Sequence, residues 1–253
     1  MTKLRRTPHL VVVFAFSFLL AILSLTSTVA QRLPRAHEGN AGTSHQARTP
    51  KAISSSSERP CLVLLIVVDQ FRYDYLERYG DLFVQGGLRR LVREGASWTQ
   101  ANYDHIPTYT APGHATMMTG TWPSENGIIA NDWFDRETGR KISSVEDNST
   151  LLLGGRKGEP GKSPRRLLAS TLGDELRLAT NDRSKVIGIS VKDRSAILPA
   201  GRHASAAYWQ SSDNGNFVSS NYYFNSLPAW VEHFNQIRMA DSFFAKHWDR
   251  LLP

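Results

Sequence analysis

Residues 61–69 read Cys-Leu-Val-Leu-Leu-Ile-Val-Val-Asp: eight apolar positions without interruption, then a carboxylate. An unbroken run of that length fits a strand buried on both faces, as in a parallel sheet covered by helices. Residues 185–191 (Lys-Val-Ile-Gly-Ile-Ser-Val) read as a second buried strand. Leu88, Leu91 and Val92 are spaced for a helix over 87–94, and Leu168, Leu172, Leu176 and Ala179 form one helical stripe over 166–180. Residues 203–210 and 217–224 read as a hairpin around Asp213-Asn214-Gly215. Residues 228–237 suit a helix with Pro228 in its first turn, and 239–250 look helical as well. Strands alternating with helices predict an α/β sandwich.

Upstream of this body the composition changes twice. Residues 1–30 carry Lys3, Arg5 and Arg6, then an apolar run over 10–25, then Thr28-Val29-Ala30. This is the pattern of an export signal, and an uncleaved membrane anchor is its rival. Export to the periplasm or the medium is the expectation. Residues 31–60 hold Pro34, Pro50, Pro60 and four consecutive serines, 54–57, with almost no large apolar side chain. Such a segment lacks the burial needed to offset ordering entropy and reads as a disordered linker. The folded part is therefore 61–253.

The chain has 253 residues and a formal net charge of +7. From Pro60 onward, however, 22 basic residues face 21 acidic ones. The body is close to neutral, which removes the electrostatic argument for a nucleic-acid partner. One cysteine, Cys61, excludes an intrachain disulfide. No internal repeat is present.

Reactive groups of open α/β sheets gather beyond the carboxyl ends of the strands. Asp69 stands at such an end and either caps the next helix or binds something positive. In residues 107–120 (PTYTAPGHATMMTG) Pro112 suits a first helical turn and Gly120 an end. Thr110 then lies at a helix N-terminus, as an ordinary cap or as a nucleophile; on position alone the cap is the commoner role. Asn131 follows Gly127-Ile128-Ile129-Ala130 and is either a turn residue or an amide donor to an oxyanion. Lys192 and Arg194 flank Asp193 directly after the second strand. In an extended chain residues two apart share a side, so the two cations form either an oxyanion clamp or a solvated strand end.

Taken together, Val67-Val68-Asp69-Gln70, residues 107–120, residues 127–132 and Ser190-Val191-Lys192-Asp193-Arg194 resemble one group. It is the secreted alkaline phosphatase and type I phosphodiesterase/nucleotide pyrophosphatase group of the alkaline phosphatase superfamily. The nearer branch is the bacterial phosphate-irrepressible alkaline phosphatases with a threonine nucleophile, which residues 197–201, 207–209 and 227–230 also resemble. The resemblance implies a three-layer α/β sandwich with a mostly parallel central sheet, incomplete here at the C-terminus. It also implies Thr110 as nucleophile, Asp69 and Thr110 as zinc ligands, and Asn131, Lys192 and Arg194 as donors to phosphoryl oxygens. The expected activity is hydrolysis of small-molecule phosphate monoesters through a phosphothreonine, with two zinc ions. The Lys–Arg pair favours monoesters, since a dianion presents three non-bridging oxygens.

The group's remaining zinc ligands, an Asp-x-x-x-His set, an Asp-His pair and a further His, are missing. Three of the eight histidines (His9, His37, His45) precede the body, and the single Asp-His dipeptide, Asp104-His105, lies ahead of Thr110, whereas the group carries its pair in the second half of a chain about twice this long. Asp69 and Thr110 alone are too few for a bimetallic site, because each zinc takes three or four protein ligands. The expectation is therefore the N-terminal half of such an enzyme, weak or inactive alone. A nucleotide pyrophosphatase/phosphodiesterase and a catalytically inactive exported binding protein are the competing readings. A sulfatase is excluded, because its nucleophile derives from Cys or Ser.

Overall fold

Six strands build one sheet with helices packed on both of its faces. The computed structural model describes residues 10–11, 60–156 and 158–250. In chain order the elements are β1 (Leu10–Val11), α1 (Tyr75–Arg78), α2 (Leu88–Glu94), α3 (Thr110–Thr119), α4 (Pro123–Asn126), β2 (Asp132–Asp135), β3 (Arg140–Ser143), β4 (Glu146–Leu153), β5 (Pro160–Lys162), α5 (Leu172–Ala179), β6 (Val186–Ser190), α6 (Asp193–Ala200), β7 (Ala206–Gln210), β8 (Phe217–Ser220) and α7 (Ala229–Gln236). Six strands pair in the order β1-β6-β7-β8-β4-β5, and β2 pairs with β3.

The sheet is mixed rather than mostly parallel. β6 runs parallel to β1 and β7, whereas β7–β8, β8–β4 and β4–β5 are antiparallel. The reason is local: β7 and β8 are joined by the short turn at Asp213-Asn214-Gly215, and a connection that short returns the chain antiparallel. Their register pairs Trp209 with Val218 and Gln210 with Phe217.

β7 shows how the three layers form. Its residues alternate, so Ala207 and Trp209 join Ala111 and Ala115 of α3 and Ala196, Ile197 and Leu198 of α6 in one core. Ala206 and Tyr208 face the other way and pack with Val231 of α7. Fully buried Ile197, Leu198, Ile128 and Leu167 each contribute about 2 kcal/mol by burial. α6 lies directly on β6 because residue 188 is glycine: a Cβ there would collide with the Ala196 carbonyl oxygen.

Three expectations need correction. Residues 61–68 are not a strand: Leu62 is 53% exposed, Leu64 52% and Val68 52%, and only Leu65 is buried. They join no ladder: β6 is paired by β1 at Val186 and Ile187 on one edge and by β7 on the other. The stripe over 166–180 does not form the buried face of one helix. α5 begins only at Leu172, after Thr171 and Asp174 close a reciprocal cap (Asp174 N–H to Thr171 Oγ1, 3.1 Å; Thr171 N–H to Asp174 Oδ2, 2.9 Å). Leu168 and Leu172 are exposed. Residues 239–250 hold only a 3₁₀ turn over Met239–Phe243.

Among the described residues no helix is long and apolar enough to cross a membrane. Apart from Leu10–Val11 and Pro60, the expected leader and linker lie outside the described residues.

Candidate active site

Asp69 sits in a tight turn closed by the Phe71 N–H to the Val68 carbonyl (3.3 Å), with Gln70 in the left-handed region at φ 61°. It does not cap the helix that follows. Instead, Thr110 Oγ1 donates to Asp69 Oδ2 at 3.0 Å across 41 residues of sequence. Thr110 is likewise no cap: the N-cap of α3 is Tyr109, and Thr110 is the first helical residue. Its hydroxyl is thus turned off the helix toward the carboxylate, at the end where backbone N–H groups and the helix dipole favour negative charge.

The cap of α3 comes from Asn131. Its Oδ1 accepts the Ala111 N–H at 2.8 Å, a bond between residues 20 apart that no local pattern could reveal. That bond fixes the orientation of the amide. With the oxygen committed to the helix, Nδ2 makes no hydrogen bond among the described residues and is left as a donor.

Lys192 and Arg194 do not stand on an extended strand end, as expected. β6 ends at Ser190 and α6 starts at Asp193, so Lys192 is the exposed helix N-cap and Arg194 lies in the first helical turn. The carboxylate between them is held locally. Asp193 Oδ1 accepts the Arg194 backbone N–H at 2.7 Å and lies 3.8 Å from Arg194 Nη1, while Oδ2 lies 3.5 Å from Lys162 Nζ. The buried Arg194 Nε has no partner among the described residues.

His114, one turn after Thr110, links these groups electrostatically. Its Nδ1 lies 2.7 Å from the Thr110 carbonyl, and since a carbonyl only accepts, Nδ1 carries the proton. Burial pushes the imidazole below its ordinary pKa; the Thr110 carbonyl and Asp69 push it up, and Arg194 and Lys192 push it down. All three charged groups therefore act on one buried ring. Burial, with Asp69 adding to it, likewise raises the phenol of Tyr103. Sequence reasoning passed over His114, whose spacing of four from Thr110 was the available signal.

The oxygens of Asp69 and Thr110 suit zinc in kind but fall short in number. Among the described residues no group of three or more His, Cys, Asp or Glu side chains gathers to hold a metal ion.

Comparison with known proteins bears on this geometry. The chain is 45% identical to an Alkaline phosphatase PhoV of Synechococcus elongatus over 81% of its own length and 37% of that protein. It is equally identical to a Myroides odoratus protein named a calcium-transporting ATPase, over 79% of this chain and 36% of the other. Alkaline phosphatase PafA of Elizabethkingia meningoseptica is 42% identical over 77% of this chain and 36% of its own. The crystal structure of wild-type PafA superposes with a TM-score of 0.71 over 74% of this chain and 36% of that one. A PafA variant with a similar match was solved with one threonine, one asparagine, one lysine and one arginine substituted together. The matched region thus spans little more than a third of these relatives. The model of the type I phosphodiesterase/nucleotide pyrophosphatase family matches residues 63–252, and the chain belongs to that family.

Proposed function

We propose that this chain carries the nucleophile and phosphoryl-binding part of a phosphate monoester hydrolase of the alkaline phosphatase type, with Thr110 as the attacking group. The observation that carries the reading is the Thr110–Asp69 hydrogen bond at the start of α3. The PafA variant supports it. In PafA the substituted threonine and asparagine are 21 positions apart and the lysine and arginine two apart. Thr110 and Asn131 are also 21 apart, and Lys192 and Arg194 two apart.

In this reading Asp69 orients the Thr110 hydroxyl and accepts its hydrogen bond. A carboxylate alone is a weak base toward an alcohol, so full activation needs further positive charge. Zinc, two ions in the whole protein, would supply that charge at Asp69 and Thr110; the present donors do not complete such a site. Thr110 gives up its hydroxyl proton as Oγ bonds to phosphorus and the phosphorus–ester oxygen bond breaks; the leaving oxygen gains a proton and departs as the alcohol, and water then hydrolyses the phosphothreonine to phosphate. The Asn131 amide, Lys192 and Arg194 take the non-bridging oxygens, whose charge grows along the reaction. The substrates are small phosphate esters, with no nucleic-acid partner. The leader places the protein in the periplasm or outside the cell, and residues 61–253 form the N-terminal part of the catalytic domain.

The test is hydrolysis of an aryl phosphate monoester with added zinc. This chain should turn over slowly or not at all. Joined to the downstream portion of a relative such as PafA, it should become active, and Thr110→Ala should abolish the activity. Zinc-dependent turnover that survives Thr110→Ala would refute the assignment.

A further inference from the structure

We infer that Lys162 on β5 is a positioning residue of this site: it draws the Asp193 carboxylate away from the Arg194 guanidinium, which leaves the guanidinium open to a phosphate-type dianion. The inference rests on the reading of Arg194 as an oxyanion donor. Lys162 and Asp193 are largely shielded, with side chains 21% and 18% exposed, and Nζ stands 3.5 Å from Asp193 Oδ2. The other carboxylate oxygen, Oδ1, is bound to the Arg194 backbone N–H at 2.7 Å.

Oδ1 thus carries a hydrogen bond and Oδ2 faces the Lys162 ammonium at ion-pair distance, while the guanidinium stays 3.8 Å from Oδ1, beyond direct hydrogen-bond distance. Its Nε–H is buried without a partner among the described residues. A carboxylate adjacent in sequence and poorly solvated would otherwise close a two-pronged pair with the guanidinium, the geometry these groups favour. That pair would consume the donors an anion needs. The local charge agrees: Lys162, Lys192 and Arg194 against Asp193 leave two positive charges for a dianion, and loss of Lys162 leaves one.

The experiment uses the full chain, labelled with ¹⁵N, with inorganic phosphate as probe. Lys162→Met should shift the Arg194 Nε–H resonance and weaken phosphate binding, and Lys162→Arg should restore both. In an Asp193→Asn background Lys162→Met should leave the resonance in place. The affinity loss should be at least about fivefold larger with Asp193 present than in that background, a coupling of the size found for contacting groups. Equal losses in the two backgrounds would make Lys162 an ordinary surface cation or a fold prop, and would overturn the inference. So would an unmoved Arg194 resonance. Absence of phosphate binding by the unmodified chain would count against the site reading instead, and the Arg194 resonance would still decide the role of Lys162.

Discussion

Thr110 donates its hydroxyl hydrogen to Asp69 across 41 residues, at 3.0 Å, from the first position of a helix that neither residue caps. The pair is exposed, so its bond exchanges readily with water and adds little to stability. Thr110→Val, which keeps the shape and removes the oxygen, should cost less than about 1 kcal/mol in urea unfolding. A loss above about 3 kcal/mol, the upper end for a hydrogen bond to a charged group, would mark the pair as a structural clasp rather than a reactive group.

Asn131 has two separable roles. Its Oδ1 holds the Ala111 N–H, and its Nδ2 is the donor left over. Asn131→Ala should lose the cap, about 1 kcal/mol. Asn131→Asp should keep it and still lose phosphate affinity, because an acceptor replaces the amide donor beside an anion. Equal stability and equal phosphate affinity in both variants would show that neither role is filled.

β6 and α6 place Lys192 and Arg194 only because residue 188 has no side chain. Gly188→Ala would drive a Cβ into the Ala196 carbonyl oxygen, a backbone atom that has no rotamer to yield. The expected loss is about 3 kcal/mol, the top of the usual range for overpacking. Thermal unfolding checks it, and a variant as stable as the parent would mean that α6 is not seated on β6.

Tyr223 contributes to the loss of stability at alkaline pH. Burial pushes its phenol well above the ordinary 10, with Tyr222 and Asp174 adding to the rise, and its hydroxyl has no partner among the described residues. In the unfolded chain the group ionises near 10. Its contribution is therefore complete below about pH 10 and is lost as pH rises from there toward the folded value, since the unfolded chain releases the proton first. Tyr223→Phe should flatten that decline and leave stability at neutral pH within about 1 kcal/mol of the parent. An unchanged alkaline slope would contradict the assignment.

Much of the fold was legible where the signal is local. β6, the β7–β8 turn, the end of α3 at Gly120 and the start of α7 after Pro228 all follow from short-range pattern. What failed depended on partners elsewhere. Residues 61–68 have the composition of a buried strand, yet they join no ladder of the sheet. The start of α5 was legible in Thr171 and Asp174, and the leucine stripe concealed it. At the site, the five residues Asp69, Thr110, Asn131, Lys192 and Arg194 and their order stood in the sequence. The capping bond from Asn131 and the Lys162–Asp193 pair are tertiary, and no spacing rule reveals them.

The most direct measurement is calorimetric titration of inorganic phosphate, at low salt, into the full chain and into a variant carrying both Lys192→Ala and Arg194→Ala. The account predicts binding by the parent and at least about a tenfold loss in the variant, as expected when charge-assisted hydrogen bonds of about 1.5–3 kcal/mol are removed. Indistinguishable titrations of the two proteins, including no binding by either, would contradict it.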